Sequence, residues 1–256
     1  MDAPAYDEAY YQSGEQRGTQ YQDYLDGAPK NRTYFEIAET IFTILKPQRT
    51  LEIGCAIGAI VSHLATFDVE AHGIDVSEWA VDHKLHENVI VASADALPYE
   101  DNYFDVVYSV HALEHLPTAI KDKALSEISR VCRGFQFHMI PMLESGPYVG
   151  DRFAHILNLR TDPTHNLLFD RPWWARQFEK NGWVDSGARI SVVHDNTYYE
   201  LSDCQILLAR EPASAEMLRD IANHNHAAAR ALSLTLNGRP GPGLDVHLNR
   251  LRDSLR

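Results

Sequence analysis

The run Thr50-Leu51-Glu52-Ile53-Gly54-Cys55-Ala56-Ile57-Gly58-Ala59 decides how this chain folds. Apolar, strand-forming residues end at a glycine, and a short turn holds a second one. A helical pattern follows at once in Ile60-Val61-Ser62-His63-Leu64-Ala65. A strand that passes into a helix through so short a turn is the unit from which parallel α/β sheets are built. Gly54 and Gly58 let the backbone turn tightly and come close to a ligand where a side chain would collide. The first N–H groups of the helix lack intrahelical partners and face the same space. Two glycines alone also mark ordinary βα turns, so the residues downstream decide.

Glu70-Ala71-His72-Gly73-Ile74-Asp75 reads as a second short strand ending in an acid, and Ser77 caps a helix beginning at Glu78. In nucleotide-type folds a carboxylate about 20 residues past the first glycine grips ribose hydroxyls, which predicts Asp75 as a ribose ligand. A capping or surface role is the alternative, and the spacing disfavours it. Val89 to Pro98 and Asn102 to Ser109 read as the third and fourth strands, the first ending in Asp95 and the second opening with Asp105. Thr118 to Val131 carries Ile120, Leu125, Ile128 and Val131 on one helical face, and Gly134 to Ile140 is a fifth strand stopped by Pro141. Such alternation predicts a parallel sheet wrapped on both faces, with ligands at the carboxyl ends of the strands. Glu52, Gly54, Asp75, Asp95 and His111 all fall at such ends.

Two cofactor motifs use a glycine turn of this kind. The dinucleotide pattern G-x-G-x-x-G would fall on Gly54, Ala56 and Ala59, and so retains only its first glycine. The pattern [D/E]-x-G-x-G-x-G falls on Glu52, Gly54, Ala56 and Gly58, with alanine replacing the middle glycine. This resembles motif I of the class I S-adenosylmethionine (SAM) methyltransferases, of the small-molecule tailoring type. The run ADALPYEDNYFDVVYSVHALEHLP, from Ala94 to Pro117, resembles the family's third and fourth strands. The resemblance implies an α/β, Rossmann-like sheet of seven strands, mostly parallel with an antiparallel edge hairpin and helices on both faces. It implies SAM as cofactor, held by Glu52, Gly54, Cys55, Ala56, Gly58, Asp75, Val76, Asp95, Ala96, Leu97, Ser109 and Val110. In that scheme Asp95 accepts a hydrogen bond from the adenine amino group, and Ala96 and Leu97 pack the ring. Ser109, Val110 and His111 face the methionine moiety, and Asp105 is structural.

Three regions are expected. Residues 1–46 form an arm and a helix, the arm carrying Tyr6, Tyr10, Tyr11, Tyr21 and Tyr24. Such rings gain most when packed, and the resemblance implies an arm folded over the cofactor; a solvated arm is the alternative. Residues 47–211 form the core, with a substrate-cap insertion at 141–170 containing Tyr148, Asp151, Arg152, His155, Asp162 and His165. A helix over Pro172 to Phe178 follows, and then Trp183 to Val193 and Asp203 to Ala209 read as an antiparallel hairpin at the edge of the sheet. Residues 212–256 are a helical extension broken at Gly238-Arg239-Pro240-Gly241-Pro242-Gly243, with a homodimer contact as its expected role. His224 and His226 in it stand two apart and do not share a helix face, so no metal site is expected there or elsewhere.

The formal net charge of −13 leaves no basic footprint for nucleic acid or an acidic membrane surface. It suits a neutral or cationic small molecule. Cys55, Cys132 and Cys204 are odd in number and widely spaced, as befits buried thiols of a reducing compartment. No apolar run reaches membrane-spanning length and the first residues lack a leader pattern, so the expectation is a cytoplasmic protein.

The sulfonium of SAM activates its methyl group, so the protein has mainly to bind, align and desolvate. The candidates for a base or orienter are His165, His115 and His111. His111 and His115 are i, i+4 and would share a face of a helical turn. His165 lies in DPTHNLLFDRPWW, which resembles tailoring methyltransferases and makes it first choice. Ser109-Val110-His111-Ala112 stands where enzymes methylating nucleic-acid bases carry [N/D/S]-P-P-[Y/F]. The expected activity is N-methylation of an amino sugar or a related cationic secondary metabolite. O-methylation of a sugar or phenolic metabolite is the alternative, and a non-catalytic SAM-binding regulatory protein is the alternative of another class.

Overall fold

Strand β1, Arg49–Ile53, lies in the middle of the sheet and is buried from Thr50 onward. It pairs in parallel with β2 (Glu70–Asp75) on one side and β4 (Phe104–Val110) on the other. Beyond β2 lies β3 (Val89–Val91), and beyond β4 lies β5 (Cys132–Met139), both parallel. The last strand, β9 (Gln205–Ala209), enters antiparallel between β5 and the two-residue β6 (Val184–Asp185). The resulting order is β3-β2-β1-β4-β5-β9-β6. This is the seven-stranded, mostly parallel Rossmann-like sheet expected of the chain. The computed structural model describes residues 6–19, 21–142, 162–189, 191–194, 197–200 and 204–223.

Side chains alternate across each strand, so β4 sends Val106 and Tyr108 to one core and Val107 to the other. The first core packs against α3 (Arg32–Thr40) through Ile37 and α4 (Ala59–Ala65) through Val61 and Leu64. The second packs against α6 (Lys121–Val131) through Leu125 and Ile128, and against α7 (Arg171–Glu179) through Trp174 and Phe178. Strand order reverses between β1 and β4, and that reversal opens a crevice at their carboxyl ends.

Four expectations need correction. The third strand stops at Val91, so Asp95 lies in the turn beyond it rather than at its tip. The helix expected within residues 1–46 is α-helical only over Arg32–Thr40 and widens into a π turn at Ile41–Leu45, closed by Lys46 at φ 47°. The expected antiparallel edge pair is present as β6 against β9, but its first strand ends at Asp185: Gly187, at φ 68°, turns the chain just after it, and β7 (Ser191–His194) pairs with β8 (Thr197–Glu200) in a separate two-stranded sheet. β9 is therefore an interior strand. Finally, the extension from 212 begins as a helix over 212–223 whose Ala215, Leu218 and Ala222 are part of the first core. The remainder of the extension, with His224 and His226, lies outside the described residues.

His138 on β5 is fully buried, its ring stacked on Phe178 at 5.1 Å. Its two nitrogens meet Ser109 Oγ at 2.8 Å and Gln136 Oε1 at 3.1 Å. Burial pulls its pKa down to about 3. Between pH 6.5 and that value the unfolded chain takes up a proton that the native state refuses, so stability falls as pH drops through this window. Denaturant titrations at pH 7 and pH 5 should show His138→Gln losing about 2 kcal/mol less on acidification than the parent. Equal losses would contradict this assignment.

Candidate active site

The crevice widens into a cavity of about 370 Å³, within the range of small-molecule sites. Gly54, Cys55 and Ala56 of the first βα turn form one wall. Gly54 sits at φ 71°, and a Cβ there would stand 2.5 Å from that of Ala112. Ala56 is itself left-handed, at φ 49°, a conformation glycine adopts freely and alanine only with strain. What holds it is Asp75: the carboxylate accepts from Ala56 N–H at 2.7 Å through Oδ2 and from Ser77 N–H at 2.8 Å through Oδ1. Asp75 is buried, and burial raises its pKa against the opposing pull of those N–H groups. Glu52, at the end of β1, accepts from Tyr108 Oη at 3.2 Å, and burial pushes its carboxyl well up.

The amino-terminal arm closes the opposite side. Tyr6, Tyr10, Tyr11, Tyr21 and Tyr24 line the cavity together with Tyr34 of α3. Tyr11 stacks on Trp79 at 5.3 Å, and Tyr10 lies edge-on to Tyr6 at 4.9 Å. Ser77, which caps the helix Glu78–Asp82, donates its hydroxyl to Tyr6 O at 2.6 Å and so pins the arm beside Asp75. Among the described residues of the arm, Tyr6, Tyr10 and Tyr11 are buried rather than solvated.

Of the residues expected around a cofactor, Glu52, Gly54, Cys55, Ala56, Asp75, Val76 and Val110 line the cavity. Gly58 stands behind it, as the residue preceding α4. Asp95, Ala96, Leu97 and Ser109 are not among the lining residues. Asp95 accepts from the Ser93 hydroxyl at 2.5 Å and lies 3.6 Å from Lys123 Nζ. Leu97 is buried in the second core, and Ser109 Oγ faces His138. Ser93 and Ala94 occupy the cavity wall instead, because the chain leaves the sheet at Val91. Sequence reasoning missed them by running the strand on to Asp95.

The three histidines separate. His111 is left-handed at φ 52°, donates its N–H to Met139 O at 2.9 Å and lines the cavity. That conformation stops any helix from starting there, and the 3₁₀ turn covers only Leu113–His115. His111 and His115 therefore share no helical face, contrary to expectation; they flank Glu114 instead, with His111 Nδ1 and His115 Nε2 at 3.7 and 3.8 Å from Oε1. His115 also lines the cavity, and its burial lowers its pKa. His165 lies against His115, ring centroids 4.7 Å apart, but is not among the lining residues. Of the polar groups expected in the insertion, Tyr148, Asp151, Arg152 and His155 lie outside the described residues. Glu114, His115 and His165 form a cluster that the sequence did not reveal, since 49 residues separate the paired histidine and Thr164 that bring it together.

Residues 51–134 match the methyltransferase domain family. That match covers about a third of this chain. The sterol 4-C-methyltransferase of Caenorhabditis elegans is 28% identical over 120 residues, 43% of this chain and 35% of that protein. The ajmaline N-methyltransferase of Rauvolfia serpentina is 36% identical over 97 residues, 34% of this chain and 33% of its own length. The chain thus spans about a third of the length of these curated relatives. Among solved structures, the magnesium protoporphyrin IX methyltransferase of Synechocystis with bound SAH has a TM-score of 0.53 at 14% identity, covering 82% of this chain and all (100%) of that one. At that identity the likeness speaks for the fold of the methyltransferase domain. Among the described residues no helix is long and apolar enough to cross a membrane.

Proposed function

We propose that this chain transfers a methyl group from SAM to a small, positively charged amine, such as an amino sugar or another cationic secondary metabolite. One observation carries the reading: two carboxylates and six tyrosines line the cavity, and no lysine or arginine does among the described residues. Tyrosine faces and buried carboxylates attract sulfonium and ammonium groups. A dinucleotide, with its paired phosphates, would find no cationic side chain there. The acidic charge of the whole chain points the same way.

When bound, SAM supplies a methyl group activated by its sulfonium. Asp75 keeps lone pairs free beside the two N–H groups it already accepts, and these are suited to ribose hydroxyls. The tyrosine arm covers the site and excludes water, which strengthens each charge interaction inside. His111, half exposed at the cavity wall, takes the ammonium proton of the acceptor so that the nitrogen lone pair is free to react. His165, set behind His115, does not touch the acceptor in this reading.

Calorimetric titration should show one equivalent of SAM and of S-adenosylhomocysteine bound, and no NAD. Incubation with SAM and a panel of small amines, sugars and phenols should then add the mass of one methylene to an amine. Binding of NAD in place of SAM would overturn the cofactor assignment, and methylation confined to phenols or sugar hydroxyls would overturn the acceptor class.

A further inference from the structure

Glu114 is fully buried, yet neither of its carboxylate oxygens has a hydrogen-bond partner among the described residues. Buried carboxylates are ordinarily paired or bound to a metal. The imidazole nitrogens beside it, His111 Nδ1 at 3.7 Å and His115 Nε2 at 3.8 Å, are too distant for hydrogen bonds. The proton on His115 can be placed by following the network. The Thr164 hydroxyl has one hydrogen, which it donates to Asp162 Oδ1 at 2.5 Å. The same hydroxyl must therefore accept from His115 Nδ1–H at 2.9 Å, with the Thr164 carbonyl 3.2 Å from that nitrogen. Nε2 is left with its lone pair, facing Glu114 Oε1. Two electron-rich atoms thus face each other at 3.8 Å.

His165 completes the group. One ligand atom from each of Glu114, His115 and His165 lies within 4.8 Å of the other two. Around a tetrahedral ion with bonds of about 2.0–2.2 Å, ligand atoms stand roughly 3.4 Å apart, so a closure of about an ångström forms the shell. The support is already in place. A metal-binding histidine characteristically donates its other N–H to an oxygen, as His115 does to Thr164. Asn166 N–H and Leu167 N–H donate to Glu114 O at 2.8 and 2.9 Å, holding the end of the insertion against this turn.

We propose that Glu114, His115 and His165 bind one divalent transition ion of the zinc class. Two imidazoles and a carboxylate suit such an ion and leave a fourth position to water. The ion clips the segment around residues 162–167 to the end of β4, at the wall of the cavity that His115 lines. Its binding does not rest on the methyl-transfer reading.

The test uses the full chain, stripped with a chelator and titrated with Co²⁺ under visible absorption, with Zn²⁺ followed by equilibrium dialysis. One equivalent of each should bind, Co²⁺ with the strong visible bands of a low-coordinate complex, and Zn²⁺ should raise the unfolding temperature. Glu114→Gln and His165→Ala should each weaken binding by about tenfold or more and abolish the thermal shift. If Glu114→Gln fails to fold by circular dichroism, His165→Ala decides alone. Absence of stoichiometric binding, or binding that survives His165→Ala, overturns the proposal. SAM titration of the same samples separates the two readings: a folded protein that takes SAM but no metal loses only the ion.

Discussion

In Gly54→Val, SAM titration should give no measurable heat, and thermal unfolding should come roughly 5–15 °C early. Two effects add. A β-branched residue at φ 71° is forced into the left-handed region, at about 1–2 kcal/mol. Its Cβ also meets that of Ala112 at 2.5 Å, and relieving such a collision in a packed wall costs about 1–3 kcal/mol more. The relief moves the turn that lines the cavity, so binding is lost with the fold still present. Gly182→Val is the control: its φ is 79° but nothing lies within 4 Å of the added Cβ. That variant should lose the strain energy alone and keep its SAM affinity. Equal affinity in Gly54→Val and the parent would show that this turn does not bound the cofactor site.

Asp75→Ala should fail twice over. It leaves the N–H groups of Ala56 and Ser77 without acceptors in a buried place, each at about 1–3 kcal/mol. SAM affinity should fall by more than tenfold, about 1.5–3 kcal/mol for charged hydrogen bonds to ribose. The loss of stability and the loss of binding are mixed in this variant because one carboxylate serves both. Asp75→Asn separates them, since it keeps the volume and one acceptor oxygen for the turn. Chemical denaturation and calorimetry on both variants read the two effects. A folded Asp75→Asn with unaltered SAM affinity would remove Asp75 from the ribose subsite.

The centre of the sheet was legible because hydropathy and turn chemistry agree there. Leu51 to Gly54 reads as a strand and its stop on either criterion, and the carboxylate of Asp75 follows at the interval the fold demands. The end of β3 was not legible, since Val89 to Ala92 is evenly apolar and nothing in that pattern says that hydrogen bonding ceases at Val91. The shared face of His111 and His115 was conditional on a helical turn. An i, i+4 spacing has meaning only on a helix, and His111 has a backbone that cannot begin one. The cluster at Glu114 depends on a tertiary contact across the insertion, and no local pattern encodes it. The first strand of the edge pair was read too long because β6 has only two residues, too few to leave a periodic signal.

The placement of β9 bears on how the protein is made. Until residue 209 has left the ribosome, the flank of β5 from Phe135 to Met139 has no neighbour on that side, with its backbone groups open and apolar residues along it. Such an edge invites pairing with another nascent chain. The last strand both completes the core and seals this hazard, so a chain stopped short of it would be prone to aggregate rather than simply lack a terminus.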